Sequence, residues 1–211
     1  MRPIRNFENV YAALKAWATK LHAERNQTWA AGLPYSAHLQ SAEDVLSRFG
    51  FDDMTNPLHQ TLRLAAWSHD LLEDCEVCRT TLRVLQGPEV EALVWAVTDE
   101  PGVNRAERHR LTYPKIAGTP WATCLKLSDR ISNTEASIVH GSTKKLAMYC
   151  EEYPEFRSAL FTPGGPEEPM WAHLDDLTLG PHQEEALVSS EPVASAPIAI
   201  MQSLFEDISP C

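Results

Sequence analysis

Four ionisable side chains fall close together in the segment Trp67-Ser68-His69-Asp70-Leu71-Leu72-Glu73-Asp74. His69 and Asp70 offer an imidazole nitrogen and a carboxylate oxygen side by side, a mixed donor set suited to Mn²⁺, Fe²⁺ or Zn²⁺. Glu73 follows His69 by four residues, and Asp74 follows Asp70 by four. On a continuous helix each pair would lie one turn apart on nearly the same face. The upstream half of that helix is apolar (Leu62, Leu64, Ala65, Ala66). Three acids at its C-terminal end oppose the helix dipole and repel one another, and a divalent cation would relieve both effects. Taken alone, the same residues also describe an acidic, solvated helix end.

Two further segments add to this set. Pro34-Tyr35-Ser36-Ala37-His38 puts a histidine at the start of an amphipathic helix. Lys126-Leu127-Ser128-Asp129-Arg130-Ile131-Ser132-Asn133 puts Asp129 and Asn133 one turn apart inside an otherwise apolar helix. Singly, His38 reads as an ordinary packed histidine and Asp129 as the partner of a nearby base. Together with His69 and Asp70 they supply two imidazoles and two carboxylates from three separate stretches of chain.

The elements that must position these residues are helical nearly everywhere. Val10, Leu14, Trp17, Ala18 and Leu21 recur at three- and four-residue steps and predict a first helix. A second is expected from Ser36 to Phe49, stopped by Gly50. Asn56-Pro57 reads as cap and first-turn proline of a third helix, running through Leu72. Gly87-Pro88 opens another through Val97, and a polar helix is expected from Asn104 to Lys115. Gly118-Thr119-Pro120 repeats the stop, cap and proline pattern before a helix through Val139. Gly141-Ser142 precedes a helix ending near Leu160, and Trp171, Leu174 and Leu177 predict a short closing helix after the loop Thr162–Pro166. No strand-like alternation of any length stands out. The expected fold class is an all-α bundle around a single metal site, over residues 1–180. Residues 181–211, rich in Pro, Ser, Ala and Glu, read as a disordered tail with a short amphipathic stretch at Ile198–Ile208.

A formal net charge of −11 argues against a protein that grips long nucleic acid, which needs clustered Lys and Arg to displace counterions. It leaves room for a small anionic substrate, because a bound metal reverses the local sign. No signal peptide and no membrane span is expected. The five cysteines are scattered, and Cys75 and Cys78 form a lone CxxC with no second pair. A reducing cytoplasmic compartment fits that usage best. The oligomeric state is left open.

In order, the chain carries His22, then Gly32-x-Pro34-Tyr35-x-x-His38, His69-Asp70-x-x-Glu73-Asp74, Val97-Thr98-Asp99-Glu100, and Lys126-Leu127-x-Asp129-Arg130-x-x-Asn133. This series resembles the hydrolase domain of RelA/SpoT proteins and the stand-alone small alarmone hydrolases, including the metazoan SpoT homologue, over about residues 7–160. The resemblance implies an HD fold with one Mn²⁺, with Fe²⁺ or Zn²⁺ as substitutes. It implies removal of the 3′-pyrophosphate of (p)ppGpp to leave GDP or GTP. Carried over, it makes His38, His69, Asp70 and Asp129 the metal ligands and Glu73 and Asp74 the catalytic pair. Asn133, Arg105, Lys145, Tyr149 and Arg25 become candidates for holding substrate. One departure bears on substrate identity. Where relatives carry basic residues before the Gly-x-Pro-Tyr loop, this chain has Glu24-Arg25-Asn26-Gln27-Thr28-Trp29-Ala30-Ala31, with Arg25 alone basic. Trp29 could stack on a nucleobase or simply pack. Another nucleotide (pppApp, a dNTP or NADPH) therefore stays open as substrate, as does a non-catalytic binding or antitoxin module.

Overall fold

The computed structural model describes residues 4–180. The segment 181–211, read from its composition as a tail, lies outside the described residues. Ten helices are present among the described residues: α1 (Phe7–Glu24), α2 (Ser36–Arg48), α3 (Pro57–Ser68), α4 (Leu71–Asp74), α5 (Arg79–Gln86), α6 (Pro88–Val97), α7 (Arg105–Ala117), α8 (Ala122–Val139), α9 (Thr143–Leu160) and α10 (Glu168–Leu179). Two strands of two residues each, β1 (Thr28–Trp29) and β2 (Leu33–Pro34), pair antiparallel across the loop between α1 and α2. The architecture is all-α, as expected.

Local chemistry explains most of the boundaries. The Asn56 side chain accepts the Leu58 N–H at 2.9 Å with Pro57 in the first turn, so α3 starts where the cap and proline require. Asn104 accepts the Glu107 N–H at 2.9 Å while Glu107 accepts the Val103 N–H at 2.8 Å, a reciprocal cap for α7. Gly50 follows α2 at φ +92°, a conformation that costs a residue with a Cβ. The start of α8 differs from expectation. The helix begins two residues after Pro120, and Trp121 at φ +68° makes the turn.

α8 is the central strut. It packs against α2, α3, α6, α7, α9 and α10. Its Leu125, Leu127 and Ile131 meet Leu39 and Leu46 of α2, Leu62 and Leu64 of α3, Val94 and Val97 of α6, and Phe156 and Trp171 in one buried cluster. Removing such side chains from water contributes about 1.5–3 kcal/mol each. One buried acid in this core is paired. Glu43 accepts from the Tyr11 hydroxyl and from the Trp67 indole at 2.6 Å, and forms an ion pair with the Arg63 guanidinium at 2.5 Å. One expectation needs correcting. The third helix does not run through Leu72 but breaks after Ser68 and restarts as α4. α5, an eight-residue helix with Leu82 and Gln86 buried and Val84 and Leu85 exposed, was not among the expected elements.

Candidate metal centre

The break after Ser68 gives His69 and Asp70 their positions. The His69 ring folds back so that Nδ1 lies 2.8 Å from the Ala66 carbonyl, and Asp70 leads into α4. His38 arrives from the first turn of α2 and Asp129 from the middle of α8. His38 Nε2 and His69 Nε2 stand 3.1 Å apart. Asp129 Oδ1 is 3.3 Å from His38 Nε2 and 3.8 Å from His69 Nε2. Asp70 Oδ2 is 2.9 Å from His69 Nε2 and 3.5 Å from His38 Nε2. His38, His69 and Asp129 each offer one ligand atom, all within 4.8 Å of one another.

The donor chemistry of this cluster fits a cation. A carbonyl can only accept, so His69 Nδ1 carries the proton and Nε2 of the neutral ring presents its lone pair. The Ser132 hydroxyl donates to Ser41 Oγ at 2.9 Å and therefore accepts from His38 Nδ1, 3.4 Å away. That leaves the His38 Nε2 lone pair facing the same point. Two lone pairs and two carboxylates aimed inward need a positive charge between them. Without a metal, protons take that role: burial works against the charged imidazole, but Asp70 and Asp129 prevail and hold His69 up at about 9. Burial likewise opposes ionisation of Asp70 and Asp129, yet the neighbouring cations keep both well below the ordinary carboxylate range.

A layer of outer groups fixes these ligands. The Tyr35 hydroxyl donates to Asp70 Oδ2 at 2.6 Å. Lys126 Nζ donates to Asp129 Oδ2 at 3.0 Å, and Asn133 Nδ2 donates to Asp129 Oδ1 at 2.7 Å. Lys126, Asp129 and Asn133 share one face of α8 because three- and four-residue steps stack on a helix. Tyr35 and Lys126 were not singled out from sequence. The position of Lys126 one turn before Asp129, in an apolar helix, was the available signal.

Above the cluster lies a polar pocket of about 150 Å³. Its lining mixes the acids Asp70, Glu73, Asp99 and Asp129 with the bases Arg105, Lys126 and Arg130, together with His109, Asn133 and Tyr149. Arg105 and Arg130 are held together by Glu152, at 2.5 Å and 2.8 Å. The buried Arg130 guanidinium stacks 4.8 Å from the Tyr149 ring centre. Glu73 is exposed, yet the protein around its carboxyl desolvates it in part. This desolvation pushes its carboxyl up to about 7, with Lys126 pulling the other way. Its oxygen accepts the Asp99 N–H.

The structure separates residues that the sequence grouped. Glu73 lines the pocket, but Asp74 does not and lies instead beside Gln27, His22 and Tyr35. Asp74 still follows Asp70 by one helical turn, its N–H donating to the Asp70 carbonyl at 2.9 Å, but only Glu73 of the two acids lines the pocket. Arg105, Asn133 and Tyr149 join the pocket. Lys145 lines a neighbouring cavity of about 290 Å³ with Trp29, Ser137 and His140, and Asn133 borders both. Arg25 is not brought to either. Its guanidinium donates to the Cys75 carbonyl at 2.6 Å and to Glu76 at 3.3 Å.

An all-helical bundle with a His, His-Asp, Asp cluster at its centre has the HD fold. A solved structure described as a metazoan ortholog of SpoT that hydrolyses ppGpp superposes with a TM-score of 0.67, covering 88% of this chain and 99% of that one at 21% identity. In sequence the chain is similar to the guanosine-3′,5′-bis(diphosphate) 3′-pyrophosphohydrolase MESH1 of Drosophila melanogaster, 29% identical over 124 residues. It is also 29% identical over 133 residues to the guanosine-3′,5′-bis(diphosphate) 3′-pyrophosphohydrolase of Aquifex aeolicus. The matched stretch covers 63% of the Drosophila protein and 18% of the Aquifex protein, less than two thirds of either. No protein-family model matches the chain. The RelA/SpoT-type resemblance read from the motifs thus extends to similarity along most of the helical domain. None of the described helices is long and apolar enough to cross a membrane.

Proposed function

We propose that this protein is a metal-dependent phosphohydrolase of phosphorylated nucleotides, with Mn²⁺ as its ion and the 3′-pyrophosphate of (p)ppGpp as its leaving group. The observation that carries this reading is the convergence of His38, His69, Asp70 and Asp129 at a pocket also lined by Arg105, Lys126 and Arg130. The names of the two curated relatives support the substrate assignment.

His38, His69, Asp70 and Asp129 would hold the ion. When bound, a divalent ion supplies Lewis acidity and lowers the pKa of water at the site from about 16 toward about 7. Glu73, poised near neutrality and anchored by the Asp99 N–H, would accept and return protons at the pocket mouth. Arg105 and Arg130, oriented by Glu152, together with Lys126 would neutralise charge developing on the phosphates. Asp74 lies beside Tyr35, whose hydroxyl donates to Asp70, and would act on the site at one remove. The neighbouring cavity, with an aromatic wall at Trp29 and polar edges at Ser137, His140 and Lys145, has the composition a nucleoside needs.

One observation favours a second reading, in which the same machinery serves pppApp, a dNTP or NADPH. The loop that is basic in the alarmone hydrolases presents Trp29 to this cavity, and its single cation, Arg25, is spent on Cys75 and Glu76. The test is to incubate the protein and Mn²⁺ with ppGpp, pppGpp, pppApp, dNTPs and NADPH, and to resolve products by anion exchange with Asp70→Ala alongside. Conversion of ppGpp to GDP and pyrophosphate, lost in the variant, is the expected result. Turnover of another panel member alone would replace the substrate, and turnover of none by metal-loaded protein would leave a binding module.

A further inference from the structure

Trp29 is held through both its backbone and its side chain. It sits on β1, paired with Leu33, and the hairpin closes tightly through Ala31 at φ +54° and Gly32 at φ +81°. Its indole N–H donates to Asn133 Oδ1 at 2.9 Å, and Asn133 Nδ2 donates to Asp129 Oδ1 at 2.7 Å. That oxygen is the one facing His38 Nε2 at 3.3 Å. The indole ring also stands 5.3 Å from the His38 ring, centre to centre. With Oδ1 capped by an N–H, the Asn133 amide has one acceptable orientation. A flip would set its NH₂ against the indole N–H and its oxygen against the Asp129 carboxylate, replacing two attractions by two repulsions.

We infer that Trp29 is a positioning residue for the metal centre: through Asn133 it fixes the Asp129 carboxylate, and through its ring it backs His38. Hydrogen-bond partners outside the ligand sphere set ligand orientation and hence affinity, and losing one typically weakens binding about 10–100-fold. The indole N–H is the part of Trp29 that acts on Asp129, so removing it while keeping an aromatic ring isolates this role. The bulk of the ring serves the cavity wall and His38.

This inference rests on the metal-site reading, and its test keeps the two apart. Mn²⁺ binding to the full-length, metal-stripped protein is measured by titration calorimetry for the wild type, Trp29→Phe, Asn133→Ala and the double variant. Circular dichroism and thermal unfolding of the metal-free forms serve as folding controls. Trp29→Phe is expected to fold normally and bind Mn²⁺ about tenfold more weakly. The double variant is expected to bind no worse than Asn133→Ala, because both changes break one chain of bonds. Wild-type affinity in Trp29→Phe, or losses that multiply in the double variant, overturns the inference while leaving the metal site in place. Absence of Mn²⁺ binding by the wild type overturns the metal site and the inference with it.

Discussion

His109 should make the protein acid-labile within a definable window. Its side chain is buried on α7, stacked against Tyr113 with ring centres 5.4 Å apart. Burial, with Arg105 adding to it, lowers the imidazole pKa from its ordinary 6.5 to about 4. The unfolded chain therefore takes up a proton as pH falls below 6.5, while the folded chain refuses it until about 4. Stability from this group is complete above 6.5, drains away as pH falls through that window, and levels off below it. The gap corresponds to at most about 3 kcal/mol, of which about 2 kcal/mol is lost by about pH 5. Urea unfolding of the metal-free protein at about pH 7.5 and about pH 5 measures it against His109→Gln, which keeps a polar side chain without the titration. The wild type should lose about 2 kcal/mol more than the variant between the two conditions. Equal losses would refute the reasoning, because every other titrating group is common to both proteins.

Metal binding should be visible as stability. At about 100 times its dissociation constant, Mn²⁺ should stabilise the wild type by about 2.7 kcal/mol, reversibly with a chelator, and Asp129→Ala should show no such gain while remaining folded. A wild type whose unfolding ignores Mn²⁺ would remove the metal-site proposal. Glu73→Gln should keep wild-type Mn²⁺ affinity, since Glu73 lies in the pocket wall beside the ligand cluster, yet lose about 100-fold or more in turnover. Normal turnover in that variant would mean that proton transfer runs through another group.

Sequence alone determined the helical class and the kinds of donor in the site, because both are local properties. Apolar residues at three- and four-residue steps require helices, and Asn56-Pro57 and Asn104 mark starts that the structure places at Pro57 and Arg105. The same periodicity put Asp129 and Asn133 on one face of α8, where their side chains meet at 2.7 Å. Periodicity along one helix carries no information about distances between helices. Only packing around α8 brought His38, His69 and Asp129 within 4.8 Å of one another.

Tertiary structure also decided how these residues divide their work. The HD segment reads as continuous helix until the His69 ring takes the Ala66 carbonyl and the chain restarts at Leu71, where Glu73 lines the pocket and Asp74 lies beside Tyr35. Arg25 looks available for substrate until the Cys75 carbonyl is found to occupy it, and Trp29 looks like packing until its N–H meets Asn133 across 104 positions of sequence. Side-chain type is written in the chain. Which hydrogen bond each side chain spends itself on depends on partners from distant segments, and burial among those partners makes each choice costly to change.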